Sequence, residues 1–172
     1  MNDVDKEIVN LFKMIKYHKA EIARLLQYEV CSRDLFNEYM NLLPEALTDI
    51  QKATRFIYIL SQSFASKGNH FGYGTTSRPN LQIFATGHLK DVKERLRNTY
   101  IENLSFEEIF KRYERERTFF FCDPPYFETC GYKNPFTEED HTRLCEILQN
   151  IKGKFLLTIN GHTKVREWYK DF

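Results

Sequence analysis

Residues 119–129 read FFFCDPPYFET, an apolar run that ends in an acid, two prolines and a tyrosine. Each of these residue types has its own chemical use. Pro124 and Pro125 hold φ near about −65° and carry no N–H, so the chain leaves the apolar run stiff and extended. Their carbonyls have no amide neighbours within the segment to occupy them. The Asp123 carboxylate and a backbone carbonyl can therefore accept the two N–H bonds of a planar amine, while the Tyr126 ring stacks on its face. Exocyclic amines of nucleobases have that shape. A base in a duplex reaches such a bracket only by leaving the stack. The plain alternative is a turn after a strand, and placement of DPPY behind a buried apolar run favours the site.

Other chemistries find less support. The four cysteines, at 31, 122, 130 and 145, form no CxxC pair and no zinc-finger spacing, so no metal is expected. Cys122 adjoins Asp123 but reads as a small buried side chain, not a nucleophile. His18, His70, His88, His141 and His162 have no partner pattern that suggests catalysis. Net charge is +1, which predicts no particular partner, yet Gln51 to Lys90 holds five basic residues and no acidic one. That stretch can face a polyanion or be an ordinary solvated surface. No apolar leader or membrane-length run is present, so the expectation is a soluble cytoplasmic protein with reduced thiols and no membrane partner.

The elements that must position this segment follow from periodicity. Asp3 and Asp5 are candidate caps for a helix carrying Ile8, Val9, Leu11, Phe12 and Ile15, and a second helical pattern runs through Ile22, Leu25 and Leu26. Residues 45–64 are helix-compatible, and 66–80 are loop-rich. Leu89, Val92 and Leu96 predict a helix, TYIEN (99–103) a short strand, and Phe106, Ile109 and Phe110 another helix. TFFFC (118–122) predicts a buried strand, Thr137 a capped helix start, KFLLTIN (154–160) a third strand, and Val165 with Trp168 a final amphipathic segment. Such alternation predicts an α/β fold with a mostly parallel sheet covered on both faces. Ligands then sit beyond the carboxyl ends of the strands, which singles out Asn103, Asp123 and Asn160.

On these blocks the chain resembles the Dam-type family of DNA adenine N6-methyltransferases. The likeness covers nearly its whole length, through NDVDKEIVNLFKMIK, RFIYILSQSFASKGNHFGYG, YIENLSFEEIFKRYERERTFFFCDPPYF and FTEEDHTRLCEIL. The resemblance implies an incomplete Rossmann-like methyltransferase sheet with an inserted, mostly helical target-recognition subdomain. The expected division is 1–19 as a remnant of the cofactor-binding region, 20–98 for recognition and 99–172 as the catalytic α/β region. It implies S-adenosylmethionine as methyl donor and double-stranded DNA as substrate, with a cognate restriction endonuclease as a further partner. Asp123, Pro124, Pro125 and Tyr126 become the catalytic set: acid and following carbonyl hold N6, and the tyrosine stacks on the flipped base. Asp3 would bond the donor's ribose, Ser105 and Phe106 would meet its adenine, and Asp123 would border the donor as well. Arg55, Lys67 and Arg78 fall in the recognition region as DNA-phosphate candidates.

Two departures from the family set further expectations. The glycine-rich F-x-G-x-G turn that binds the donor's methionine half is missing, and FGYGTT at 71–76 has the wrong spacing and context to replace it. The chain also opens at MNDVD, where the family's second strand has ended, and closes at WYKDF, before its last strands. It therefore reads as an internal fragment or the product of a split or truncated gene, one expected to bind the donor weakly and not to methylate DNA alone, with an unpaired edge and exposed apolar surface on TFFFC. The alternatives are methylation of another amine (cytosine N4, RNA or a protein amide) and a relic that binds DNA without turnover.

Overall fold

The computed structural model describes residues 1–63, 68–72 and 88–172. The chain divides into two compact units, Met1 with Lys6–Glu102, and Asn2–Asp5 with Asn103–Phe172.

The first unit is helical among its described residues. Helix α1 (Lys6–Leu26) joins the two predicted helical patterns into one rod, kinked where His18 takes φ −130° and ψ 27°. Helix α2 (Arg33–Asn41) is capped by Ser32, whose hydroxyl accepts from the Leu35 amide. A 3₁₀ turn at Pro44–Ala46 delays helix α3 to Asp49–Gln62. There Thr48 and Gln51 form a reciprocal capping box, a local signal strong enough to set the start. Helix α4 spans His88–Leu96. Ile15, Ile22 and Leu26 of α1 pack with Ala53 and Ile57 of α3 and with Leu89 and Leu96 of α4. Tyr58, fully buried, donates its hydroxyl to the Val30 carbonyl at 2.8 Å, tying the α1–α2 connection to α3.

The strand predicted at 99–103 does not form. The Met1 ammonium donates to the Tyr100 carbonyl at 3.0 Å, and the Glu102 amide donates to the Met1 carbonyl at 3.0 Å. Two backbone bonds to a single residue, Met1, do not make a strand.

The second unit holds helix α5 (Phe106–Tyr113), strand β1 (Phe119–Cys122), helix α6 (Glu138–Asn150), strand β2 (Lys154–Leu157) and helix α7 (Thr163–Trp168). Thr137 caps α6 in a box with Asp140, matching the predicted start. The two strands pair in parallel, Phe119 with Lys154 through Cys122 with Leu157. Phe110 of α5 and Leu144 and Leu148 of α6 pack on Phe120.

The expectation of a sheet covered on both faces is corrected here. Among the described residues the sheet has two strands, and β1 alternates: Phe120 is 8% exposed, whereas Phe119 is 59% and Phe121 65% exposed. Helices cover one face only, so side chains of odd and even register part company. What holds of the fold expectation is the coarser statement, a mixed helix–strand chain with a small parallel sheet. Among the described residues no helix is long and apolar enough to cross a membrane.

Candidate active site

Asp123 is the first residue after β1, and Thr158 is the first after β2. Parallel register therefore sets them side by side. The Thr158 amide donates to the Cys122 carbonyl at 2.9 Å, carrying the ladder one step further, and its hydroxyl donates to Asp123 Oδ1 at 2.5 Å. Asp123 is exposed, and its Oδ2 takes no hydrogen bond from the described residues. The Pro124 carbonyl likewise accepts none from them. Pro124, Pro125 and Tyr126 are half-buried.

The motif is anchored at its far end as well. Phe127 is 7% exposed, with Trp168 and His162 edge-on to its ring at 5.0 and 5.1 Å between centroids. Asn160 Nδ2 donates to the Phe127 carbonyl at 2.9 Å. Glu128 then adopts φ 55° and the Thr129 amide donates to the Tyr126 carbonyl at 3.2 Å, closing a turn. Two residues of one strand exit, 158 and 160, thus hold both ends of the DPPYF segment. Sequence reasoning flagged Asn160 only as a strand end and missed Thr158. The i, i+2 spacing was the available signal, but it speaks only once the register with β1 is known.

The residues expected at the donor gather around another junction of the same unit. Asp3 is half-buried and its Oδ1 accepts from the Asp5 amide at 2.8 Å. Asn103 Nδ2 donates to the Asp3 and Val4 carbonyls at 2.8 and 3.1 Å. Asn2 and Leu104 exchange two bonds, at 3.0 and 2.9 Å. The second predicted strand end, Asn103, therefore fastens the turn that presents Asp3. Asp3 Oδ2 accepts no hydrogen bond from the described residues, so the turn fixes an acid with one oxygen left for a diol. The ribose end of a nucleoside donor fits this arrangement. Ser105 caps α5, its hydroxyl accepting from the Glu108 amide at 3.3 Å. Phe106 stands 5.2 Å from the Phe136 ring, half-buried.

Burial decides the protonation of two neighbours. It pushes the Cys122 thiol up to about 11, which keeps it a neutral thiol and removes it as a nucleophile. His141 has no exposed surface and stacks on Trp168 with centroids 4.9 Å apart. Burial holds its pKa below the ordinary 6.5, against the opposing pull of Asp140. The unfolded chain then takes up a proton at His141 that the folded unit refuses. Stability present above about pH 6.5 is lost as pH falls below it, by up to about 1.4 kcal/mol per unit. Denaturant unfolding across that range should show the slope, and His141→Phe should flatten it. An unchanged slope would place the acid sensitivity elsewhere.

The DNA-phosphate candidates fare differently. Lys67 and Arg78 lie outside the described residues. Arg55 is 9% exposed, with Nε donating to the Tyr39 carbonyl at 2.6 Å and Nη1 to Glu7 Oε1 at 3.1 Å. Its charge is spent inside the first unit, binding α3 to α1 and to the end of α2. A phosphate would reach it only after those bonds broke.

A parallel strand pair in a mixed helix–strand chain carries an acid, a stiff diproline and a tyrosine at its carboxyl edge. A sequence profile of the D12 class N6 adenine-specific DNA methyltransferases matches residues 1–172, and the chain belongs to that family. It is 28% identical over 181 aligned residues to the Type II methyltransferase M.CviBI of Paramecium bursaria Chlorella virus NC1A. That alignment takes in 100% of this chain and 68% of the viral protein. The likeness read from the DPPY block therefore holds, and with it a family of enzymes that methylate adenine N6 in DNA. Methyltransferases of this family generally use S-adenosylmethionine.

Proposed function

We propose that this chain carries the adenine-holding half of a site that methylates N6 of adenine in double-stranded DNA. The observation that carries the reading is the exposed Asp123 carboxylate, pinned through Oδ1, followed by a Pro124 carbonyl that accepts no hydrogen bond from the described residues. Those two acceptors match the two hydrogens of an exocyclic amine. Pro125 stiffens the segment and Tyr126 offers its ring to the extruded base. S-adenosylmethionine, when bound, supplies an electrophilic sulfonium methyl. Asp3 would hold its ribose through Oδ2, and the Phe106 ring, with the backbone beside the Ser105 cap, would border its adenine. Accepting both N6 hydrogens localises the amine's lone pair and orients it, so these residues act by position and electrostatics, without a covalent intermediate on the protein.

The proposal extends to a Rossmann-like setting for β1 and β2 and to target recognition within 20–98, with Lys67 and Arg78 meeting phosphates. It includes a cytoplasmic location and, from the Type II character of the viral relative, a cognate restriction endonuclease. The test is transfer of labelled methyl from S-adenosylmethionine to duplex DNA. The chain is assayed alone and joined to any in-frame sequence that precedes Met1 in its gene. Label in N6-methyladenine supports the reading. Label only in cytosine N4, RNA or protein, or DNA binding without transfer in both forms, overturns it.

A further inference from the structure

We infer that Thr158 is a positioning residue for the reaction: its hydroxyl sets which oxygen of Asp123 faces the amine. The inference rests on the reading of Asp123 as the N6 acceptor. A carboxylate on a short side chain can rotate about its terminal torsion, which is broad and has two equivalent faces. In an exposed aspartate both oxygens would be hydrated and interchange freely. Here the Thr158 hydroxyl donates to Oδ1 at 2.5 Å, a short charge-assisted bond that stops this rotation. The hydroxyl is itself well placed, because the Thr158 amide is bonded to the Cys122 carbonyl at 2.9 Å. One residue thus reads the end of β1 through its backbone and orients the next residue of that chain through its side chain.

The consequence is chemical. Oδ1 already accepts one donor, so Oδ2, with both its lone pairs untaken by the described residues, is the oxygen better placed to take an N6 hydrogen. Asn160 completes the clamp: two residues along, its Nδ2 holds the Phe127 carbonyl at 2.9 Å and so sets where the segment ends. Both anchors come from the exit of β2, so Asp123 and Phe127, which flank the diproline and Tyr126, are tied to the same strand end. Thr158 touches neither base nor donor in this scheme. Its effect runs through Asp123.

Two substitutions separate positioning from folding. Thr158→Val keeps the branched shape that suits a strand end and removes only the hydroxyl. Thr158→Ser keeps the hydroxyl. In a form of the protein that transfers methyl, Thr158→Val should lower kcat by about 10- to 100-fold, the worth of one lost charge-assisted bond. KM for DNA and for S-adenosylmethionine should stay within about threefold, and Thr158→Ser should recover most of kcat. The readout that needs no turnover is the ¹³C resonance of the Asp123 carboxyl. It should move in Thr158→Val and stay near its original position in Thr158→Ser. An unmoved resonance, or a valine variant with unchanged kcat, overturns the inference while leaving Asp123 as acceptor. Loss of kcat in both variants to the same degree also overturns it, because the hydroxyl would then not be the cause. If the parent protein methylates a different amine, the adenine reading falls, yet the same valine-to-serine contrast still decides the role of Thr158.

Discussion

Asp123→Ala should lower methyl transfer at least about 10³-fold while leaving the second unit folded. The size follows from what one acceptor does in this bracket. An exocyclic amine is a poor nucleophile because its lone pair is shared with the ring. Two acceptors on its hydrogens favour the geometry in which that pair is localised. With Oδ2 gone, only the Pro124 carbonyl remains, and the amine can turn away from the methyl. The expected silence in stability follows from exposure: Asp123 is solvent-facing, and its lost partner, the Thr158 hydroxyl, can be met by water. Single-turnover transfer measured beside thermal unfolding separates the two effects. Asp123→Asn should fall between, since its carbonyl still accepts but carries no charge. An alanine variant within tenfold of the parent would show that N6 is oriented by something other than Asp123.

How much of this was legible in the sequence depends on whether the signal was local. The Thr137 start of α6 and the two helical halves of α1 were readable because caps and apolar periodicity act within a few residues, whereas their joining across His18 was not. DPPY was readable because prolines constrain their own backbone. Helix α2 escaped notice: its nine residues bury only Phe36, which leaves little periodic signal. Arg55 looked like surface charge, since nothing in α3 announces that Glu7, 48 positions away, closes on it. FFFC reads as a buried strand with exposure expected only where a neighbouring strand is missing, and which of its residues face out is told only by what packs on them. Thr158 belongs to the same kind of omission. Its role exists only after β1 and β2 are aligned, and register is a tertiary fact.

Gly153 is the sharpest example, and it carries the largest stability effect expected here. Nothing in NIKGKF distinguishes it among the chain's seven glycines. A Cβ at this position would lie 2.4 Å from the Thr118 carbonyl oxygen and 2.8 Å from that of Arg115. Both are backbone atoms already in use: Thr118 O accepts from the Lys154 amide at 2.9 Å, and Arg115 O from the Thr118 amide at 2.9 Å. No rotamer change relieves such a clash, so the start of β2 would have to move away from β1. Gly153→Ala should therefore cost about 3 kcal/mol or more, and lower the melting temperature of the second unit by about 10 °C or more. Gly131→Ala is the contrast. Its φ of 104° strains any side chain, but nothing lies within 4 Å of the added carbon, so about 1 kcal/mol is expected. The damage at 153 should also reach the site, because Thr158 and Asn160 hold DPPYF from the other end of the same strand. Amide exchange should rise at Phe121 and Thr158 in Gly153→Ala and stay unchanged in Gly131→Ala. A Gly153→Ala protein melting within about 2 °C of the parent would mean that β2 tolerates displacement, and that the bracket is held by the loop alone.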